Sequence, residues 1–365
     1  MSMRLHAMLA GLSLILAGMC ASATAGEAVE KKPGEDIRAE GTRAEEHAAT
    51  TDGAPELTAK ASQAIDRALK HLLSRQQKDG SFVRLGRKGE GSYHVAVTSL
   101  TLMAFMANGH FPGFGPHGEQ LDRAKKFLLD HAKSRQDGYL GTTMYEHGLA
   151  TLALSELWGM TRDRQDDDDI QKALEAAVEV ILRSQNPDGG GWRYQPVAQN
   201  MQDTSVTVMV FVSLASARQA GIMVPTSTIK RVERYLEGAW NPETGGFSYA
   251  PLGSKRQVTH ACSGGGAYAA QLAGLRGTEV VNATIRYLKK VDVTKGGGHY
   301  YYANYYAIQA MVQAGDKEYA DWYPKIRDAL IAKQRKDGSW GDGHETPMAI
   351  ITLATPHRYI PIYQR

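Results

Sequence analysis

Two kinds of helical pattern alternate along the chain. In the first, apolar residues recur every three or four positions against a charged face: Ala61, Ala64, Ile65, Ala68, Leu69 and Leu72 oppose Lys60, Asp66, Arg67 and Lys70. The same stripe returns at Leu121, Ala124, Phe127 and Leu128, and at Ile170, Ala173, Leu174, Ala177 and Ile181. That spacing predicts helices lying on a core with one face in water. In the second kind the run is apolar nearly all round: VAVTSLTLMAFMA from Val95, GLATLALSEL from Gly148, TSVTVMVFVSLASA from Thr204, GGGAYAAQLAGL from Gly264, YYAIQAMVQA from Tyr305 and PMAIITLA from Pro347. Such helices must be buried on most sides.

A recurrent turn separates the two kinds. Gln76-Gln-Lys-Asp-Gly80-Ser-Phe82 returns as Gln334-Arg-Lys-Asp-Gly338-Ser-Trp340. Looser copies are Asp137-Gly-Tyr139, Gln185-Asn-Pro-Asp-Gly189-Gly-Gly-Trp192, Asn241-Pro-Glu-Thr-Gly245-Gly-Phe247 and Lys295-Gly-Gly-Gly-His299-Tyr300. The aromatic positions 82, 139, 192, 247, 300 and 340 are 57, 53, 55, 53 and 40 residues apart, close to the period of helical-hairpin arrays. Six units, each with a half-buried and a buried helix, predict two concentric rings. The expected fold of Leu57 to Arg365 is therefore an all-α (α/α)6 toroid with Q-x3-G-x-W/F-type turns. An open solenoid is the alternative, but it would leave one face of every apolar inner helix on a concave surface.

The chain ahead of Leu57 reads differently. Arg4 precedes an apolar run from Ala7 to Met19 that is too short to span a bilayer and ends in Ala23-Thr24-Ala25, the pattern of a cleaved signal peptide over residues 1–25. Export to the periplasm or beyond is expected, with no transmembrane helix. Met19 stands where lipidation of Cys20 would want a small residue, so a lipoprotein is the poorer reading. Residues 26–56 contain one valine, one isoleucine and no aromatic residue, which predicts a disordered charged spacer.

Charge and cysteine content narrow the partners. The 42 basic and 39 acidic side chains, a net of +3, are interleaved, whereas nucleic-acid binding wants a basic cluster on one face. With only Cys20 and Cys262 present, neither a disulfide framework nor a Cys-rich zinc module can be built.

The Q-x3-G-x-W/F turn resembles the repeat of the terpene cyclase and protein prenyltransferase superfamily. More closely, MYEHGLATLALSELWGM, QDTSVTVMVF, YYYANYYAIQAM and the ending RYIPIYQR are similar to exported bacterial proteins described as prenyltransferase and squalene oxidase repeat proteins. The resemblance covers essentially Leu57 to Arg365. It implies the toroid strongly and a reaction weakly, because one toroid hosts many chemistries. In the prenyltransferases it brings to mind, zinc is held by an Asp-x-Cys pair and a later His. His260-x-Cys262 falls at the pair, but Ala303 occupies the later position and His299 lies four residues earlier. A zinc site from His260, Cys262, His299 or Asp203 is thus short of a ligand, and no cofactor is expected. Cys262-Ser-Gly-Gly-Gly also lacks the Gln that a complement-type thioester requires.

Polar residues open every inner helix: His94, Tyr145-Glu146-His147, Asp203-Thr204, His260 with Cys262, Tyr302 with Asn304, and Glu345-Thr346. In a closed toroid these converge on one mouth, beside aromatic residues Trp192, Tyr194, Tyr300, Tyr301, Tyr302, Tyr305 and Tyr306. Convergent polar groups against an apolar wall are the usual form of a ligand site. The sharpest expectation pairs His147 with Asp203 as acid–base partners, with His260, Tyr302 and Glu345 completing the rim. The plain reading is that Asp203 and Thr204 cap their helix and that His94 and His147 are satisfied core histidines. The run Asp166 to Asp169 contains the D-x-D-D of acid-initiated cyclases but precedes an outer helix, where acids simply suit the N-terminal dipole. Three functions remain: binding or transforming a prenyl- or polycyclic-lipid-like ligand, a non-catalytic protein-interaction toroid, or a carbohydrate hydrolase or lyase using Glu146, Asp203 and Glu345.

Overall fold

The computed structural model describes residues 55–83, 93–251, 257–295 and 297–364. The expected leader and the spacer up to residue 54 lie outside the described residues. Twelve α-helices follow in order: α1 (Ala59–Leu73), α2 (His94–Met106), α3 (Gly118–Ser134), α4 (Met144–Leu157), α5 (Arg164–Ser184), α6 (Thr204–Gln219), α7 (Thr226–Ala239), α8 (His260–Leu272), α9 (Glu279–Lys289), α10 (Tyr300–Ala314), α11 (Asp316–Lys333) and α12 (Glu345–Leu353). Strand-like pairing among the described residues is confined to two isolated bridges, Trp240 with Phe247 and Ser248 with Val258.

The even-numbered helices form the inner ring. Each packs on the next, and α12 packs back on α2, so the array closes into the expected (α/α)6 toroid and is not an open solenoid. The odd-numbered helices cover it, each burying the predicted stripe; in α1 that is Ala61, Ala64, Ile65, Ala68, Leu69 and Leu72. Each inner helix is reached through an outer one, so all six run the same way. Their N-termini share one end, the mouth, and their C-termini share the distal end.

The turn motif is the device that joins repeats. Gly80, Gly138, Gly190, Gly245 and Gly338 all take positive φ, between 72° and 90°. A Cβ at Gly190 would stand 2.0 Å from the Arg231 carbonyl oxygen, and one at Gly80 2.3 Å from that of Arg123. These five turns therefore lie directly against the backbone of the next outer helix, whereas in the turn before α10 the left-handed residue is His299 and a Cβ on Gly297 or Gly298 would meet nothing within 4 Å. The motif glutamine fastens it there: Gln76 Nε2 donates to Gly80 O and to Gln120 O of α3, at 3.0 and 2.7 Å, and Gln185 repeats this with Gly190 and Thr228 of α7. Gln334 donates to its own Gly338 and, at 2.7 Å, to Ala64 O of α1. The last repeat thus fastens to the first.

Behind the glycine the aromatic residue is buried, as at Phe82, Trp192, Phe247 and Trp340. Its backbone N–H donates to a polar side chain of the following inner helix: Phe82 to Thr98, Trp192 to Thr207, Phe247 to Ser263 and Trp340 to Thr346, at 2.9–3.0 Å. In α8, three consecutive glycines persist as helix because close packing needs them. A Cβ on Gly264 would meet the Ala307 backbone at 2.9 Å, and one on Gly266 the Phe247 ring at 2.4 Å.

The distal end is filled by the chain after α12. A short turn, Thr355–His357, and a second, Pro361–Tyr363, carry Ile360, Ile362 and Tyr363 into the core, where each is 5% exposed or less.

Candidate functional site

Asp203, Thr143 and Thr259 occupy the N-cap positions of α6, α4 and α8, each accepting from the backbone N–H three residues on. This satisfies one of the orphan donors at each helix start. Asp203 does more than cap. Its Oδ1 accepts from Val206 N at 2.9 Å and Ser205 Oγ at 2.6 Å, and the Tyr249 hydroxyl also lies against the carboxyl. Burial raises the Asp203 carboxyl above its ordinary pKa; the bonds from Ser205 and Val206, the Arg193 charge and the Tyr249 hydroxyl oppose that only in part. Tyr249 in turn meets Tyr194, hydroxyl to hydroxyl, at 2.8 Å.

Beside Asp203 the ring axis is spanned by tyrosines. Tyr145 of α4 and Tyr302 of α10 come from opposite sides of the ring, yet their ring centres are 6.2 Å apart. Tyr302 packs edge-on against Tyr306 at 4.9 Å, and the Tyr306 hydroxyl donates to Met209 Sδ of α6 at 3.2 Å. Burial raises Tyr145, Tyr302 and Tyr306 well above the usual phenol range. The Cys262 thiol is also raised, by burial first, with the Asp203 charge adding to it, and both Cys262 and Asp203 act on Tyr302. Tyr145, Tyr302 and Tyr306 thus form a tyrosine floor across the ring, within reach of the Asp203 and Cys262 charges at Tyr302.

The expected pairing of His147 with Asp203 is not made. His147 is fully buried, its Nδ1 accepts from Leu140 N at 2.9 Å and its Nε2 bonds Ala177 O of α5 at 3.0 Å. Its ring packs beside Tyr139, centre to centre at 5.3 Å. In this repeat the histidine does what Thr98, Thr207, Ser263 and Thr346 do in others: it takes the N–H at the turn. Burial drives its pKa down to about 4, so it is a neutral structural side chain with both nitrogens occupied.

The other rim residues divide in the same manner. Glu146 is buried; its Oε1 accepts from Ala96 N of α2 at 3.2 Å and its Oε2 from Thr142 N and Oγ1 at 2.8 and 2.9 Å. It holds the residue ahead of the Thr143 cap and ties α4 to α2. Thr204 bonds Ser248 O at 2.7 Å; His94 Nδ1 meets Ser81 Oγ at 3.3 Å; Glu345 accepts from Gly343 N at 3.0 Å; and Asn304 donates to Tyr300 O at 2.9 Å. His260 turns its ring toward Trp322, with centres 6.4 Å apart. Its Nε2 is buried without a partner, and burial lowers its pKa to about 4.

No group of three or more His, Cys, Asp or Glu side chains that could hold a metal ion occurs among the described residues. Ala303, at the position that would need a histidine for zinc, is instead buried against Gly264. The acid run Asp166 to Asp169 begins α5 at the distal end, away from the mouth. Lys125 of α3 pairs with Asp122 and Asp166, and Lys133 with Asp169 at 2.7 Å, so the run ties two outer helices together. A cleft of about 430 Å³ lined by Trp158, Glu175, Glu179, Leu182, Ile222 and Met223 lies on the outer wall and contains none of the rim residues. No described helix is long and apolar enough to cross a membrane. Tyr249 beside Asp203 and Glu156 near the end of α4 are not among the residues that the sequence pattern marks. Tyr249 had a signal, since it follows its turn aromatic by two residues, as Tyr194 does.

No family model matches the chain, and no curated protein matches it by sequence. Its fold is similar to solved toroids. The GH76A alpha-1,6-mannanase of Salegentibacter sp. HEL1_6 aligns with a TM-score of 0.61 at 10% identity over 82% of this chain and 99% of that one. A variant of the type II terpene cyclase MstE from Scytonema, in complex with its substrate geranylgeranyl dihydroxybenzoate, aligns at 0.57 with 14% identity over 82% and 98%. A D-mannose isomerase aligns at 0.57 with 10% identity over 81% and 97%. At such identities the likeness is one of fold alone.

Proposed function

We propose that the mouth of the toroid binds a small apolar or weakly polar ligand, of prenyl- or polycyclic-lipid type, above the Tyr145–Tyr302–Tyr306 floor. The observation that carries this reading is that burial drives the titratable groups around the floor toward their uncharged forms: Asp203, Cys262 and the tyrosines upward, His260 downward. Aromatic faces and neutral hydroxyls suit an isoprenoid chain bearing one polar group, and the Arg193 charge at the rim is engaged with Asp203 and the Tyr194 ring. Asp203, buried at the start of α6 with the Tyr249 hydroxyl beside it, is the natural partner for a ligand hydroxyl.

A carbohydrate ligand is the second reading, favoured by the fold's likeness to a mannanase and a mannose isomerase. Hydrolysis by a carboxyl pair needs two free carboxyls, and both oxygens of Glu146 are committed to backbone and Thr142 donors. Calorimetric titration of the full chain with geranylgeraniol and with α-1,6-mannotriose separates the two. Geranylgeraniol should bind, with affinity about tenfold weaker or worse in Tyr302→Ala, a loss equivalent to about 1.4 kcal/mol. Binding of mannotriose but not geranylgeraniol, or an undiminished Tyr302→Ala, would overturn the reading.

A further inference from the structure

A second set of buried polar groups lies at the distal end, on the far side of the tyrosine floor, which it meets where the Tyr305 ring packs on Tyr306 at 4.8 Å. Glu156, in the last turn of α4, is 5% exposed. Its Oε1 accepts from Ser216 Oγ of α6 and its Oε2 from Ile362 N at 3.4 Å. The same segment is held from other inner helices. Tyr268 of α8 donates its hydroxyl to Ile362 O at 2.8 Å, Tyr305 of α10 meets the Tyr363 hydroxyl at 2.6 Å, and Gln313 of α10 donates to Gln364 O at 2.7 Å. Four of the six inner helices therefore contribute to one seat, and the chain's own Ile362 and Tyr363 occupy it.

The groups facing Glu156 are almost all neutral. From α8 and α10 they are Tyr268 and Tyr305, and from the segment itself Tyr363, each of which feels the Glu156 charge. Arg276 acts on Tyr268 but is hydrogen-bonded to Gln313. On the segment, His357 stacks with Tyr359, and Arg358 approaches Asp316 at 4.0 Å. The groups that act on Glu156 itself are its surroundings, which desolvate it, and the donors on Ser216 and Ile362; no cation is among them.

We propose that residues 358–364 form a pH-controlled stopper for the distal end of the toroid, latched by protonated Glu156 and released when that carboxyl ionises. The physical sense of the coupling follows from burial. Desolvation raises Glu156 from 4.5 to about 7 while the segment is seated, and lifting the segment returns the carboxyl to water and toward its ordinary value. A raised pKa means that the seated state is fully favoured below about pH 4.5 and loses its advantage as pH climbs through about 7. Between pH 5 and pH 8 these two values shift the lifting equilibrium by about 70-fold toward the lifted state. Lifting would open Tyr268, Tyr305 and Glu156, a tyrosine-walled seat with a carboxylate, to whatever approaches from that end.

Amide hydrogen exchange on the full chain tests this, with Ile362 and Tyr363 read against Leu152 in the middle of α4. Corrected for intrinsic rates, protection of Ile362 should fall by about 70-fold from pH 5 to pH 8 while that of Leu152 does not follow it. In Glu156→Gln the dependence should vanish. In Ser216→Ala, which removes a donor that favours the charged form, the fall should begin at the same pH but grow larger and continue to higher pH; this second variant decides the matter if Glu156→Gln does not fold. Protection of Ile362 that is flat with pH in the native chain, or that changes equally in native and Glu156→Gln proteins, would refute the stopper.

Discussion

Gly190→Ala should destabilise the toroid by about 4 kcal/mol, combining a non-glycine residue in the left-handed region with overpacking. The position has φ +79°, and the added Cβ would lie 2.0 Å from the Arg231 carbonyl oxygen of α7. Backbone cannot yield as a flexible side chain would, so the turn must move off α7. That movement breaks the Gln185 bonds to Gly190 O and Thr228 O. It also disturbs Trp192, whose carbonyl accepts from the N–H of Asp203. Gly159→Ala is the control: its φ is +77° but nothing lies within 4 Å of the new atom, so only the conformational cost of about 1 kcal/mol applies. Urea unfolding of both variants gives the comparison, and equal losses would mean that the turns do not bear on the neighbouring helices.

His147 should make the protein acid-sensitive without taking part in any reaction. Its pKa falls from 6.5 to about 4 on folding because burial disfavours the imidazolium. For a depressed group the stability is complete above the unfolded value and is lost as pH falls toward the folded one. Between pH 7.5 and pH 4.5 this residue alone should remove about 2.5 kcal/mol. His147→Thr imitates the residues that take the turn N–H in other repeats. It should cost about 2 kcal/mol at pH 7.5 through the lost bond to Ala177 O and the lost ring volume. In exchange it should flatten the acid limb by the full His147 contribution, whatever the other titrating groups do, since they are common to both proteins. Urea midpoints at the two pH values measure the difference; parallel pH dependence in the two proteins would show that His147 is not held neutral in the core.

The architecture was legible because it is written in periods. The half-buried and fully buried helices, the Gly-aromatic turns and their spacing of some fifty residues each demand a neighbouring repeat, and six such units with wholly apolar inner helices leave closure as the economical burial of all of them. The site was legible only in part. The polar residues at the inner helix starts do share one end of the closed ring, but position alone cannot say where a side chain spends its hydrogen bonds. His147 looked like an acid–base group and proves to be a turn acceptor because Leu140 N and Ala177 O flank it. Glu146 looked free and is consumed by Ala96 and Thr142. Nor could the chain show that Tyr145 and Tyr302, some 157 residues apart, meet across the axis, or that Glu156 would be sealed by Ile362, because both contacts depend on the ring having closed.

The claim on which the function rests is that the mouth is a desolvated surface, and the Asp203 carboxyl reports on it directly. A carbon-13 NMR titration of the Asp203 side-chain carboxyl in the native chain, assigned by its loss in Asp203→Asn, follows that proton without reference to any ligand. The account predicts a midpoint above the ordinary 3.8, because desolvation outweighs the Ser205 and Val206 bonds and the Arg193 charge. A midpoint at or below 3.8 would mean that the mouth presents a solvated carboxylate, and would contradict an apolar ligand there.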